Sequence, residues 1–187
     1  MLVGGASRRF GTDKADAMFR GSTLLDNALT TLRAAGFESL AYVGGSGRTL
    51  VAFDAPHVAD IAGEQCTLRG VVSSLDYARC NGADSVLMLA CDIPLVTPTT
   101  ITRVYRSLPG HDAAVARAHD DHWSLIAVST AALPMLRNRY ENGKFAMHDA
   151  FATLRVARVQ VDEREMLNAN EPGTLSQAIA DKSASHE

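Results

Sequence analysis

Ser85–Pro94 reads SVLMLACDIP, an apolar run that ends at once on a cysteine, a carboxylate and a proline. The run shows no alternation of polar and apolar side chains, as suits a strand whose two faces are both covered. It is expected to be a central strand of a mostly parallel sheet with helices on either side. Asp92 then stands at the carboxyl end of that strand, and Pro94 fixes the backbone that follows. In open α/β sheets ligands gather beyond the carboxyl ends of the strands. A lone carboxylate there is placed to hold Mg²⁺, which takes few protein oxygens when substrate phosphates and water complete its octahedron. A turn or capping aspartate is the other account of the same residue, since Asp is common in turns.

The elements on either side alternate. Upstream, Ser22–Gly36 (STLLDNALTTLRAAG) puts Leu25, Ala28, Leu29 and Leu32 on one helical face, with Thr23 and Asp26 as a capping box and Gly36 as a stop. Ser39–Val43 reads as a short strand, and Gly70–Cys80 as a helix with Val71, Leu75 and Ala78 on one side. Downstream, AAVA, SLIAVS and VARVQV are strand candidates, separated by helical stretches around 131–140 and 145–154, with a further one at 171–181. The fold class is therefore α/β. With 187 residues and no repeat or low-complexity linker, one domain spanning 1–187 is expected, its tail fraying from about 181.

Composition narrows the partners. The chain is 47% hydrophobic and 21% charged, with a formal net charge of -3, so no global basic field invites nucleic acid or an anionic membrane. Cys66, Cys80 and Cys91 have neither the even number nor the short paired spacing of a disulfide framework or a structural zinc site. No apolar run reaches the roughly 18 residues of a membrane span. A cytoplasmic protein is expected.

A second loop carries chemistry. Val3–Lys14 reads VGGASRRFGTDK, with glycines at 4, 5 and 11, a spacing that fits neither GxGxxG nor GxxxxGK[ST]. Gly4, Gly5, Ala6 and Ser7 are able to present amides to phosphate oxygens, Arg9 to bind two oxygens at once, and Lys14 to act as a point charge on a leaving diphosphate. A glycine turn with surface cations is the blander account. Taken with Asp92, the loop supplies the parts of nucleotidyl transfer by positioning and electrostatics. His119–His122 (HDDH) reads as a hairpin turn between two strands rather than a metal cluster.

At this point the residues resemble a known family. LVGGASRRFGTDK (2–14) resembles the LxGGxSxRMGxDK signature of the MobA-type molybdenum cofactor guanylyltransferases. LMLACDIPLVTP (87–98) is similar to that family's strand and metal-binding DxP segment, DHWSLIAVS (121–129) to its later strand around the sheet edge, and LNANEPGTL (167–175) to its NxNTPEDL motif. The resemblance implies a three-layer α/β/α Rossmann-like domain. It also implies transfer of GMP from GTP to molybdenum-bound molybdopterin, with Mg²⁺ as cofactor and with contact to enzymes that make or receive the cofactor.

Carried over, the resemblance places Leu2, Val3 and Gly4 on the nucleotide and Gly5, Ala6, Ser7, Arg9 and Gly11 around the phosphates. Lys14 faces the triphosphate, Asp92 the metal, and Asp60 and Gly70 the nucleotide. Asn168 and Asn170 lie near the pterin end, where their amides can both donate and accept; a helix cap before Glu171–Pro172 is the alternative for them. Phe10 replaces the family's methionine, Cys66 a glycine of the substrate loop, and Lys144 and Phe145 two arginines. Only Met1 and Leu2 precede the glycine loop, so the first strand is expected to be short. Two rivals stay open: a transferase using CTP or another small acceptor, and a nucleotide-binding homologue with impaired catalysis.

Overall fold

Four strands make the central sheet of the computed structural model, which describes residues 16–44 and 55–169. In chain order the elements are β1 (Met18–Phe19), β2 (Ser22–Thr23), α1 (Leu24–Ala34), β3 (Tyr42–Val43), β4 (His57–Val58), α2 (Thr67–Cys80) and β5 (Ser85–Leu89). There follow α3 (Pro98–Arg106), β6 (Ala113–Arg117), β7 (Asp121–Ser129), α4 (Leu133–Glu141), α5 (Met147–Phe151) and β8 (Val156–Gln160). Single turns of 3-10 helix occupy Thr130–Ala132 and Glu163–Met166.

Local chemistry explains α1. Thr23 accepts from the Asp26 amide at 3.0 Å while the Asp26 carboxylate reaches back to the Thr23 amide at 3.4 Å, closing the expected capping box. Gly36 ends the helix at φ 87°, a left-handed conformation that a side chain would strain. Leu24, Leu25, Ala28, Leu29 and Leu32 form its buried stripe. The second helix starts at Thr67, three residues before the expected Gly70, because Leu68 is fully buried and anchors the extra turn.

Among the described residues the sheet order is β5-β7-β6-β8, so β5, expected as a central strand, stands at one end of the described sheet. Side chains alternate across it into two apolar layers. Leu89, Ala114, Ala116, Leu125, Ala127 and Val159 face α1 and α3, with Leu25, Leu29, Ile101 and Val104 opposite them. Met88, Ala113, Val115, Ile126 and Val128 face α2, α4 and α5, with Leu68, Leu75, Leu133 and Phe151 opposite. Full burial of each such side chain stabilises the fold by roughly 1.5–3 kcal/mol. Helices thus cover both faces, as the run at 85–90 led one to expect, and make the three layers that the resemblance implies.

The sheet is partly parallel. Among the described residues β3 pairs with β4, and β6 with β8, in parallel, whereas β5 and β6 each run antiparallel to β7. The short connection 118–120 makes β6 and β7 a hairpin, and a hairpin is antiparallel by construction. The apolar run at 85–90 reported two covered faces, not the direction of its neighbour. Residues 121–129, expected around the sheet edge, lie inside it between β5 and β6. His119 and Asp120 sit in the hairpin turn as expected, while Asp121 opens β7 and binds Arg117 at 3.0 Å and Arg158 at 3.1 Å. The helix expected at 171–181 lies outside the described residues. No helix among the described residues is long and apolar enough to cross a membrane. None of the three cysteines is in a disulfide.

Candidate active site

Because β5 runs antiparallel to β7 and β7 antiparallel to β6, while β8 is parallel to β6, strands β5, β6 and β8 share one direction and end on the same side. Asp92 stands just past the end of β5 on that side, partly buried, between buried Cys91 and Ile93. The chain leaving β8, at the other end of the described sheet, returns across these ends. Its return brings Asn168 to Asp92, where the amide Nδ2 donates to Oδ2 at 2.9 Å. The backbone N–H of Ala169 donates to the Asp92 carbonyl at 2.7 Å. Asn168, assigned to a site from its motif alone, is thus beside the carboxylate assigned to the metal.

The loop that carries Asp92 is braced from two further directions. Asn27 of α1 donates from Nδ2 to the Pro94 carbonyl at 3.0 Å. Glu165, on the return segment, accepts from the Thr97 amide at 3.1 Å and from its hydroxyl at 3.2 Å. Thr97 is also the N-cap of α3, accepting from the Thr100 amide at 3.3 Å. With its backbone held by α1, by the return segment and by the start of α3, the carboxylate has a fixed position, as a metal or phosphate site requires.

The donor set suits a hard divalent cation. A carboxylate and a carboxamide offer oxygen ligands, and Mg²⁺ and Mn²⁺ prefer oxygen. Among the described residues no group of three or more His, Cys, Asp or Glu side chains is arranged to enclose a metal. A Mg²⁺ ion needs only one or two protein oxygens when phosphate and water fill its remaining positions.

A second group forms around the start of α2. The Asp60 carboxylate binds Arg69 Nη2 at 3.0 Å, and its other oxygen is 3.4 Å from Ser73 Oγ, which donates to the Arg69 carbonyl at 2.8 Å. Ser73 Oγ in turn accepts from the Ile61 amide at 3.0 Å, which ties the incoming chain to the helix. Gly70 lies on the same helix between those two side chains, its carbonyl accepting from Ser74 Oγ at 2.7 Å. The sequence reading named Asp60 and Gly70 as nucleotide contacts and did not anticipate that Arg69 and Ser73 would bind around Asp60 and Ile61. The spacing of four between Arg69 and Ser73 in a helix, which sets them on one face, was the available signal. Leu2, Val3, Gly4, Gly5, Ala6, Ser7, Arg9, Gly11 and Lys14 lie outside the described residues, as does Asn170.

The arrangement has parallels among known proteins. The family model described as MobA-like NTP transferase domain matches residues 1–158. A protein of Opitutus terrae named "Probable molybdenum cofactor guanylyltransferase" is 30% identical over 180 residues, covering 92% of this chain and 89% of its own. Among solved structures, molybdopterin-guanine dinucleotide biosynthesis protein A from Archaeoglobus fulgidus superposes with a TM-score of 0.80 at 21% identity, over 98% of this chain and 97% of that one. A manganese complex of a Mycobacterium tuberculosis protein superposes with a TM-score of 0.64 at 20% identity, over 96% and 95% of the two chains. At those identities the two structures speak for the shared fold.

Proposed function

Because this chain belongs to the MobA-like NTP transferase domain family and is a nucleotidyltransferase, we propose that it transfers GMP from GTP to molybdenum-bound molybdopterin, forming the guanine dinucleotide and releasing diphosphate. The observation that carries the reading is Asp92 at the end of β5, held by Asn168 and Ala169 of the returning chain. Asp92 would hold the divalent cation, taken to be Mg²⁺, with Asn168 orienting the carboxylate. Bound there, the ion would withdraw charge from the phosphates of GTP.

The protein's part is to bind and align. The nucleophile is a phosphate monoester oxygen of the pterin, already an anion, so no side-chain base is needed. Its bond to the α-phosphorus forms as the bond from that phosphorus to the diphosphate breaks, in line. Arg9 and Lys14 neutralise the departing diphosphate, and the amides of Gly4, Gly5, Ala6, Ser7 and Gly11 cradle the phosphates. Leu2, Val3, Asp60 and Gly70 line the nucleoside, and Asn168 and Asn170 reach the pterin side. The single-domain organisation and a cytoplasmic setting, where GTP is at hand, belong to the same proposal, as does contact with proteins that make or receive the cofactor.

Asp92→Ala tests it. Diphosphate release should fall below detection while the melting temperature stays near that of the parent chain; normal turnover would remove the metal assignment. A thermal-shift panel of GTP, CTP, ATP and UTP with Mg²⁺ tests the base, GTP being expected to raise the melting temperature most.

A further inference from the structure

Three consecutive carbonyls, those of Ala62, Gly63 and Glu64, are held by side chains from two different helices. Tyr140, in the last turn of α4, donates its hydroxyl to the Glu64 carbonyl at 2.9 Å, and the Ala62 carbonyl is 3.4 Å from the same oxygen. Arg69 of α2 donates from Nη1 to the Gly63 carbonyl at 3.2 Å and grips Asp60 with its other nitrogen. With Ile61 tied to Ser73, each residue from 60 to 64 meets a side chain of the neighbouring helices.

Tyr140 and Gly63 fit only as a pair. Gly63 has φ +121°, a conformation that side chains rarely adopt. A Cβ built there would lie 2.6 Å from the Tyr140 hydroxyl oxygen and 3.3 Å from its ring. Tyr140 is 6% exposed, packed in the layer with Leu68, Leu133 and Leu136, with the Phe145 ring centroid 5.5 Å from its own. An anchored ring and a side-chain-free turn thus bring the hydroxyl to the carbonyls with little freedom. Burial raises the hydroxyl's pKa above the ordinary tyrosine value, so it remains a donor throughout the neutral range. Beside this contact lies an open cavity of about 350 Å³, lined by Ala62, Gly63, Glu64, Tyr140, Gly143 and Phe145. The turn therefore has room to swing when the hydroxyl is removed, and packing alone would not hold it.

We propose that Tyr140 is a positioning residue for nucleotide binding: its hydroxyl latches the 62–64 turn, and the turn fixes Asp60 and the first turns of α2 in the geometry that meets the nucleotide. The proposal rests on the reading of Asp60 and Gly70 as nucleotide contacts. Tyr140 packs in one apolar layer and Cys91 and Ile93, the neighbours of Asp92, in the other, so the latch is expected to act on binding rather than on the transfer step.

The test uses the full chain, with turnover measured against GTP concentration alongside thermal melting. Tyr140→Phe should raise KM for GTP roughly three- to tenfold, the loss of one hydrogen bond's worth of preorganisation, and change kcat less than about twofold. Gly63→Ala, which strains the same contact from the turn side, should raise KM similarly, and the double variant should show no more than the larger single effect. Asp60→Asn serves as the control for the underlying reading. If Asp60→Asn raises KM and Tyr140→Phe does not, the latch is overturned and the nucleotide assignment stands. If Asp60→Asn leaves KM unchanged, the nucleotide assignment fails and the latch with it. A lowered melting temperature and kcat with unchanged KM in Tyr140→Phe would make the contact structural and overturn the proposal.

Discussion

Asn168 and Asp92, 76 positions apart, meet at the carboxyl end of the sheet, where the amide donates to the carboxylate at 2.9 Å and the next residue's N–H binds the Asp92 carbonyl at 2.7 Å. One contact is made by a side chain and the other by the backbone, so the two are separable by mutation. The side-chain contact bears on how the carboxylate faces a ligand, and the backbone contact on where the loop sits.

Asn168→Ala keeps the backbone contact and removes the amide. Groups that orient a metal-binding carboxylate typically contribute about 10–100-fold to metal affinity or activity. The variant is expected to need more Mg²⁺ for half-maximal turnover and to lose activity within that range, with its melting temperature nearly unchanged. A Mg²⁺ titration of the initial rate checks it; an unchanged midpoint would show that the amide does not orient the carboxylate.

Glu165 joins the return segment to the start of α3, because its carboxylate accepts from both the amide and the hydroxyl of Thr97. The Thr97 amide lies at the entry to the helix, where backbone donors lack intrahelical partners. Glu165→Ala should therefore lower stability by roughly 1 kcal/mol, read by urea unfolding. It should also reduce turnover, since the segment it anchors carries Asn168 to Asp92. Lower stability with full activity would mean that the Asn168 and Ala169 contacts keep the segment in place without Glu165.

What could be read from the sequence was what is local. The Thr23–Asp26 box, the stripe of α1 and the stop at Gly36 depend on residues a few positions apart, and all three stand in the structure. The run at 85–90 announced two covered faces, and Met88 and Leu89 are indeed buried in opposite layers. Its antiparallel neighbour was not legible, because β7, turned back by the hairpin at 118–120, inserts between β5 and β6, and no property of the run itself announces that insertion. Asp92 was placed by the strand before it, whereas its meeting with Asn168 depends on the chain crossing back from β8. Tyr140 carried no signal at all, since an aromatic at helical spacing reads as core, and the carbonyl it holds at Glu64 is 76 positions away.

The N-terminal cap of α1 offers a prediction confined to the fold. Thr23 accepts from the Asp26 amide, and its own hydroxyl is 2.8 Å from the Asp26 carboxylate. Replacing a capping threonine with alanine leaves a backbone donor unsatisfied and typically costs about 1 kcal/mol. Thr23→Ala is expected to destabilise by that amount in urea unfolding. Because α1 also sends Asn27 to the Pro94 carbonyl, a fall in turnover larger than the unfolded fraction would show that the cap helps to hold the Asp92 loop.

Asp112 and Arg155 give a pH dependence whose sign can be worked out. The Arg155 side chain, bound at 3.1 and 3.3 Å, and then the Arg155 backbone N–H, at 2.9 Å, hold the Asp112 carboxyl below the ordinary carboxylate range. A carboxylate whose folded pKa lies below its unfolded value contributes stability that is fully present above the unfolded value. That contribution is lost as pH falls through the folded one. Asp112→Asn should therefore melt below the parent chain at pH 7, with the gap closing as pH drops below about 4. The gap should also narrow with added salt, because the Arg155 side chain is largely exposed and its charge is screened. Thermal melts of both chains from pH 7 to 3 check this. A gap of constant size across that range would show that packing, rather than the ionised carboxylate, holds the start of β6 against the chain entering β8.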